Sequence, residues 1–297
     1  MHILLTGSTG FIGRTLQAAL TKAGHTVHSG VSPSARTLQP HHVPMDFARD
    51  TTPEAWLPRL QGIDAVINAV GVLRDSTARP IDAVHTHTPK ALFDACAQAG
   101  IGRVVHISAL GVAQGHTRYA TTKRAADEHL LALAQAHPKL SAVVLRPSIV
   151  FGKGGASSAL FMNLAQLPIA LLPGPVLDAK VQPVSVHDLA QAVVALLGSQ
   201  LSTTGIVECT GPQALTMGEL IASLREQQGR RPAKFVRMPQ VLTQLSARMG
   251  DMVPAVPWCT ETLTMLGSDN VGDHTAFRAL LGRDAVHYSQ LVATAWK

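Results

Sequence analysis

The sequence predicts an α/β protein: a doubly wound parallel sheet with a smaller, mainly helical C-terminal lobe. Three observations carry this. A strand, a glycine turn, a helix and a second strand fit within residues 2–31. Short apolar runs then alternate with helical spacings as far as Cys209, the pattern of crossover-connected parallel strands. Beyond Cys209 the alternation gives way to helical patterns joined by proline-containing links.

His2 to Thr6 is an apolar run that reads as a buried strand. It runs into Gly7-Ser8-Thr9-Gly10-Phe11-Ile12-Gly13. Ile12, Leu16, Ala19, Leu20 and Ala23 then recur at helical spacing, and Gly24 suits the position just past a helix end. The second strand is predicted over 25–31 and a short third over 43–46. Asp64 to Gly71 reads as strand into loop. A helix is predicted over 81–99, closed by Gly100, then a strand over 103–108. Another helix is expected over 119–137, stopped by Pro138, and a strand over 142–146, ended by Pro147. A helix over 188–197 and a strand over 205–209 complete the alternation. Thr216-Met217-Gly218-Glu219 has capping-box form ahead of Leu220, Ile221 and Leu224. The expected division is therefore 1–210 for the sheet domain, with 153–180 as a pocket-covering insertion, and 211–297 for the helical lobe.

Composition narrows the function classes. The chain has 297 residues, 46% hydrophobic and only 15% charged. That is a globular composition, too poor in charge for disorder or a coiled coil. The formal charge of +6 comes from scattered arginines, and aromatics are 4%. A nucleic-acid groove needs clustered cations and stacking rings, so that partner is not expected. Attraction to anionic cofactors or lipid headgroups is compatible with the charge. Cys96, Cys209 and Cys259 are far apart and odd in number, so reduced thiols and a cytoplasmic location are expected. Neither a signal peptide nor a transmembrane run is expected, because Gly7 interrupts the first apolar stretch and no long apolar run follows. No metal site is predicted: His41-His42 and His85/His87 lack ligand spacing, and no HExxH or finger pattern occurs. No GxSxG elbow is present for a serine hydrolase.

The glycines at 7, 10 and 13 have separable tasks. The first permits the tight turn, the second lets backbone approach a pyrophosphate, and the third lets helix and strand pack closely. The helix N-terminus offers unpaired N–H groups and a partial positive charge to phosphate. A P-loop does not fit, because Ser8 stands at its upstream glycine position and Arg14 replaces its lysine.

Six motifs in order carry a family resemblance. They are Thr6-Gly7-Ser8-Thr9-Gly10-Phe11-Ile12-Gly13, Asp46 after the third strand, Asn68-Ala69-Val70-Gly71, Tyr119-Ala120-Thr121-Thr122-Lys123, Arg146-Pro147-Ser148-Ile149-Val150-Phe151-Gly152 and Gln182-Pro183-Val184-Ser185-Val186-His187-Asp188-Leu189-Ala190. Together they resemble the extended or atypical branch of the short-chain dehydrogenase/reductase superfamily, which has a Rossmann fold. Ser157-Ser158-Ala159-Leu160-Phe161-Met162, Leu167-Pro168 and Leu172-Pro173-Gly174 resemble the subgroup of the complex I nucleotide-binding accessory subunit and its bacterial homologues.

The resemblance implies that Tyr119 is the general acid/base and that Lys123 holds the nicotinamide ribose, with Ser108 polarising the substrate. Tyr119 and Lys123 are four apart on a predicted helix and share a face. A nearby ammonium is expected to favour the phenolate and lower the tyrosine pKa. The implied cofactor contacts are Gly7, Thr9, Gly10, Phe11, Ile12, Gly13, Ser32, Arg36, Asp46, Phe47, Ala69, Val70, Gly71, Ser108, Tyr119, Lys123, Pro147 and Ile149. One departure concerns the later Ser/Thr position of the fifth-strand end, where Leu110 stands. No acid follows the second strand, whereas Ser32 and Arg36 suit a 2′-phosphate, so NADP(H) is favoured over NAD(H).

The segment 160–173 is apolar and proline-punctuated. It reads as a helix and loop over the substrate pocket, as a buried core helix, or as a membrane-surface contact. A long acyl, isoprenoid or aromatic substrate suits it better than a sugar nucleotide. The expected function is an NADP(H)-binding oxidoreductase or epimerase/dehydratase-type enzyme, a monomer or homodimer. The alternative is a non-catalytic dinucleotide-binding redox sensor or assembly partner of a membrane complex, peripheral to the inner membrane.

Overall fold

The computed structural model describes residues 1–33, 35, 39–198, 203–252 and 258–296. Ile3, Leu4 and Leu5 of β1 (His2–Thr6) are fully buried, as a strand covered on both faces requires. The strands β2 (Thr26–Val31), β3 (His42–Pro44), β4 (Ala65–Asn68), β5 (Arg103–Ile107), β6 (Ser141–Pro147) and β7 (Gly205–Cys209) join it in one sheet of order β7-β6-β5-β4-β1-β2-β3. The pairings among β1 to β6 are parallel. The chain runs outward from β1 to β3, then returns to place β4 on the other side of β1. That reversal opens a crevice at the carboxyl ends of β1 and β4. The register Thr6↔Asn68 sets the two following loops side by side.

Helix α1 (Phe11–Lys22) buries Leu16 and Leu20 and packs on β1 and β2. Helices α2 (Thr88–Ala99) and α3 (Arg118–Ala136) contribute Leu92, Phe93, Ala126 and Leu130 to a core with Leu4, Val66, Val104 and Val144. Phe93 is completely buried there, so Phe93→Ala would cost about 3–5 kcal/mol. Thr117 caps α3 by accepting the Ala120 N–H at 3.2 Å. The helix expected over 81–99 is interrupted: a π turn, Ala83–His87, precedes α2. Pro89 has no N–H to return to the carbonyl four residues back, and the wider turn absorbs that missing bond.

Packing divides the chain into two units. One comprises Met1–Arg146 with Ala190–Val207, the other Pro147–Leu189 with Glu208–Lys297. The sequence reading places a boundary near 210, with 153–180 as an insertion in the first domain. Phe151, Phe161 and Met162 share a core with Met217, Leu220 and Leu224, and this draws 147–189 into the second unit. Where a helix and loop are one expectation for 160–173, the segment ends in a strand, Ile169–Pro173, paired in parallel with Lys234–Met238. The capping box forms as expected: the Thr216 N–H donates to Glu219 Oε2 at 2.7 Å and the Glu219 N–H to Thr216 Oγ1 at 3.2 Å. Among the described residues no helix is long and apolar enough to cross a membrane.

Candidate active site

The turn after β1 is built without side-chain room. Gly7 has φ +75°, and a Cβ on it would lie 2.8 Å from the Ala69 carbonyl carbon and oxygen. A Cβ on Gly13 would lie 1.9 Å from the Gly7 carbonyl oxygen, so only glycine lets α1 seat against the turn. Gly10 is the N-cap of α1 and carries no capping side chain, and the first turn of the helix has no acidic residue. Its amides and partial positive charge therefore have no carboxylate of their own helix to neutralise them. Thr9 is exposed, while Phe11 and Ile12 are half-buried at the helix start. The Ser8 hydroxyl donates to the Gly30 carbonyl at 2.8 Å and ties the turn to the end of β2.

Asn68 anchors the neighbouring loop. Its Oδ1 accepts the Thr6 hydroxyl at 2.7 Å and the Val70 N–H at 3.3 Å. Ala69 and Val70 thus lie beside Gly7, and Gly71 extends the loop toward α3. A Cβ on Gly71 would lie 3.6 Å from both His85 Nε2 and Lys123 Nζ. The glycine turn, the β4 loop and Lys123 are brought together at one sheet edge.

Tyr119, Lys123 and Asp127 succeed one another at intervals of four on α3, hence on one face. Lys123 Nζ donates to the Ile107 carbonyl at 3.1 Å and sits 6.0 Å from the Tyr119 ring centroid. Burial pulls the Lys123 pKa down to about 8, partly opposed by Asp127. The expected lowering of the Tyr119 pKa does not prevail. Burial of the phenol, with a smaller contribution from Asp127, pushes it up to about 12. Ser108 donates its hydroxyl to Asp127 Oδ2 at 2.9 Å, and Arg146 Nε donates to the same oxygen at 2.9 Å. Leu110 is buried.

Three buried residues join this group that the motifs did not single out. His85 Nε2 accepts the Val72 N–H at 3.0 Å, and its Nδ1 lies 3.2 Å from Thr122 Oγ1. Since a backbone N–H can only donate, Nε2 is unprotonated and Nδ1 carries the hydrogen. Burial, with Lys123 adding, lowers the His85 pKa to about 2, so the ring is neutral. It meets the Tyr119 ring edge to face at 5.2 Å. His106 Nδ1 faces the Asn68 amide nitrogen at 3.2 Å, which assigns its hydrogen to Nε2, 3.5 Å from Asp127 Oδ1. Burial raises the Asp127 pKa, while Ser108 and Arg146 pull it back. The signal for Asp127 was its helical spacing from Lys123. His85 and His106 had none.

The remaining candidates are more dispersed. Asp46 follows β3 and is half-buried, its Oδ1 accepting the Ala48 N–H at 2.9 Å. Phe47 meets Trp56 edge to face at 5.6 Å. Ser32 is exposed just after β2, and Arg36 lies outside the described residues. Pro147 ends β6 and Ile149 packs on the core of the second unit. Cys96, Cys209 and Cys259 are free and buried. Among the described residues no group of three potential metal ligands occurs.

A parallel sheet with a glycine turn at its switch point defines a dinucleotide-fold protein of the doubly wound class. The sequence model of the NAD dependent epimerase/dehydratase family matches residues 3–207, and the chain belongs to that family. It is 27% identical over 276 residues to ceramide reductase of Caulobacter vibrioides, covering 89% of this chain and 81% of that protein. It is 23% identical over 265 residues to the mouse mitochondrial NADH dehydrogenase [ubiquinone] 1 alpha subcomplex subunit 9, covering 86% and 68%. The structure of Bacillus cereus UDP-glucuronic acid 4-epimerase, in complex with UDP-glucuronic acid and NAD, shares the fold. The TM-score is 0.71 at 18% identity, over 99% of this chain and 98% of that one.

Proposed function

We propose that the chain is a nicotinamide-dinucleotide-dependent oxidoreductase or epimerase/dehydratase-type enzyme, with NADP(H) preferred over NAD(H). The observation that carries this is the convergence of the glycine turn, the β4 loop and the Tyr119–Lys123 face around Gly71. The residues fit a dinucleotide. Gly7, Gly10 and Gly13 would leave backbone amides clear for a pyrophosphate, with Thr9, Phe11 and Ile12 at the same helix start. Asp46 and Phe47 would border the adenine. Ala69, Val70 and Gly71 would line the ribose. Ser32, with no acid beside it, would accept a 2′-phosphate.

The dinucleotide, when bound, supplies or accepts a hydride. Tyr119 keeps its proton at neutral pH, since its pKa is near 12, and so serves as general acid toward a substrate oxygen. Lys123 would present its ammonium to the ribose hydroxyls. Ser108 has its one proton engaged by Asp127 and retains only acceptor capacity, so proton donation falls to Tyr119. The neutral His85 ring supports Tyr119 from its edge. The substrate class is an apolar small molecule, in keeping with the similarity to a protein named ceramide reductase. Tyr119→Phe should abolish substrate-dependent NADPH oxidation while dinucleotide affinity stays unchanged. Unchanged turnover would refute the assignment.

Leu110 and the engaged Ser108 hydroxyl favour a second reading, a dinucleotide-binding redox sensor or assembly partner without turnover. It predicts nucleotide that survives purification and a stable protein partner. Recovery of only apo monomer would count against it.

A further inference from the structure

In the second unit, the helix Gln240–Asp251 is built inside out. Its buried residues are small: Thr243, Ala247 and Gly250. A Cβ on Gly250 would lie 1.9 Å from the Trp258 carbonyl oxygen, and Ser246 Oγ accepts the Trp258 indole N–H at 3.2 Å. The small face is therefore the one that packs. The large apolar residues point the other way: Val241 is 76% exposed, Leu245 54%, Met249 62% and the following Met252 83%, with Leu242 also exposed. At about 100° per residue these five fall within an arc of about 100°. A helix covering a water-soluble core has the opposite arrangement.

The adjoining ribbon repeats the pattern. Ile169 and Leu171 are exposed, opposite Lys234 and Val236 in register, whereas the alternate residues Ala170, Leu172 and Phe235 turn inward. Only Pro239 separates the ribbon strand from the helix. Cations accompany this surface: Arg230, Arg231, Lys234 and Arg248 are exposed, and among the described residues none of them forms a salt bridge. The only acid within 230–252 is Asp251, which accepts the N–H and hydroxyl of Thr260.

We propose that this helix and ribbon dock on the surface of an anionic lipid bilayer, the apolar stripe entering the headgroup–acyl boundary and the cations meeting lipid phosphates. An exposed apolar stripe with a cation at its border and others nearby in the chain is the arrangement of helices that lie in the membrane interface. Arg248, beside the stripe, can extend its head to the phosphates while its stem stays with the apolar residues. A second copy of this face is a poorer occupant, because it would oppose cations to cations. The surface lies on the membrane rather than through it, since no described helix can span one.

The test is vesicle flotation with the full chain. Vesicles of phosphatidylcholine alone are compared with vesicles containing phosphatidylglycerol as well. The wild type should bind the anionic vesicles about tenfold more strongly or better, and less so at high salt. Met249→Asp or Leu245→Asp should each weaken binding by about tenfold or more, with unaltered melting because both side chains are already exposed. Arg230→Glu with Arg231→Glu should remove the preference for anionic vesicles. Absence of vesicle binding, or variants that float like the wild type, would overturn the proposal. So would a salt-insensitive dimer that Met249→Asp dissociates, which would assign the face to a second copy.

Discussion

Replacing Gly13 by alanine probes the seat of α1 directly. The new Cβ would lie 1.9 Å from the Gly7 carbonyl oxygen, 2.7 Å from the Gly7 carbonyl carbon and 2.9 Å from Ser8 Cα. All three atoms are backbone, so no side chain can swing aside. Ordinary contacts begin near about 3.5 Å, so the helix must retreat by more than about 1 Å. Leu16 and Leu20 are fully buried against the sheet, and the retreat loosens them too. Overpacking of this kind costs about 1–3 kcal/mol, and the rigid neighbours place Gly13→Ala at the upper end. For a unit of this size about 3 kcal/mol lowers the melting temperature by about 6–12 °C. A displacement near 1 Å of the helix amides should weaken dinucleotide binding by about 100-fold. The control is Gly24→Ala. Gly24 has φ +84° with nothing within 4 Å of a Cβ, so only left-handed strain of about 1–2 kcal/mol arises. Thermal melts and NADPH fluorescence titrations of both variants decide the matter. Gly13→Ala that binds like the wild type, or melts no lower than Gly24→Ala, would show that the close seat of α1 on the turn does not require glycine.

Other predictions concern the buried polar group. The Lys123 pKa falls from 10.5 unfolded to about 8 folded, so both states hold the proton below about pH 8 and the burial penalty is then fully present. Stability should therefore rise by about 3 kcal/mol in total as pH climbs from about 8 past 10, in urea melts of the wild type, and the rise should vanish in Lys123→Met. His85 should show a neutral ring with hydrogen on Nδ1 by nitrogen NMR and no titration down to about pH 4, whereas a midpoint near 6.5 would contradict the assignment. Asp127→Asn leaves Arg146 without its buried counter-charge and should cost about 3–5 kcal/mol in denaturant melts. A loss below 1 kcal/mol would show that Arg146 does not depend on it.

Local patterns carried most of the first unit. The glycine turn, the strand–helix alternation and the Tyr119–Lys123 face are short-range features, and each is set by φ, by packing at one helix position or by a four-residue spacing. What the pattern could not carry is long-range pairing. Ile169–Pro173 becomes a strand because Lys234–Met238 lies beside it, and nothing within the run itself distinguishes that from a loop. The same holds for the assignment of 147–189, which depends on Phe151 and Phe161 meeting residues more distant along the chain. The sign of the Tyr119 shift also escaped, because spacing reveals the neighbouring ammonium but not the burial that outweighs it. His85 and His106 are isolated letters in the sequence. Their roles arise only when the ends of β4, β5 and α3 converge.

The β1–α1 turn and the loop after β4 are proposed to hold a nicotinamide dinucleotide. Calorimetric titration of the wild type with NADPH, NADP⁺, NADH and NAD⁺ tests it most directly. Saturable binding of one dinucleotide per chain is expected, tighter for the 2′-phosphorylated pair. Absence of saturable binding to all four would contradict it.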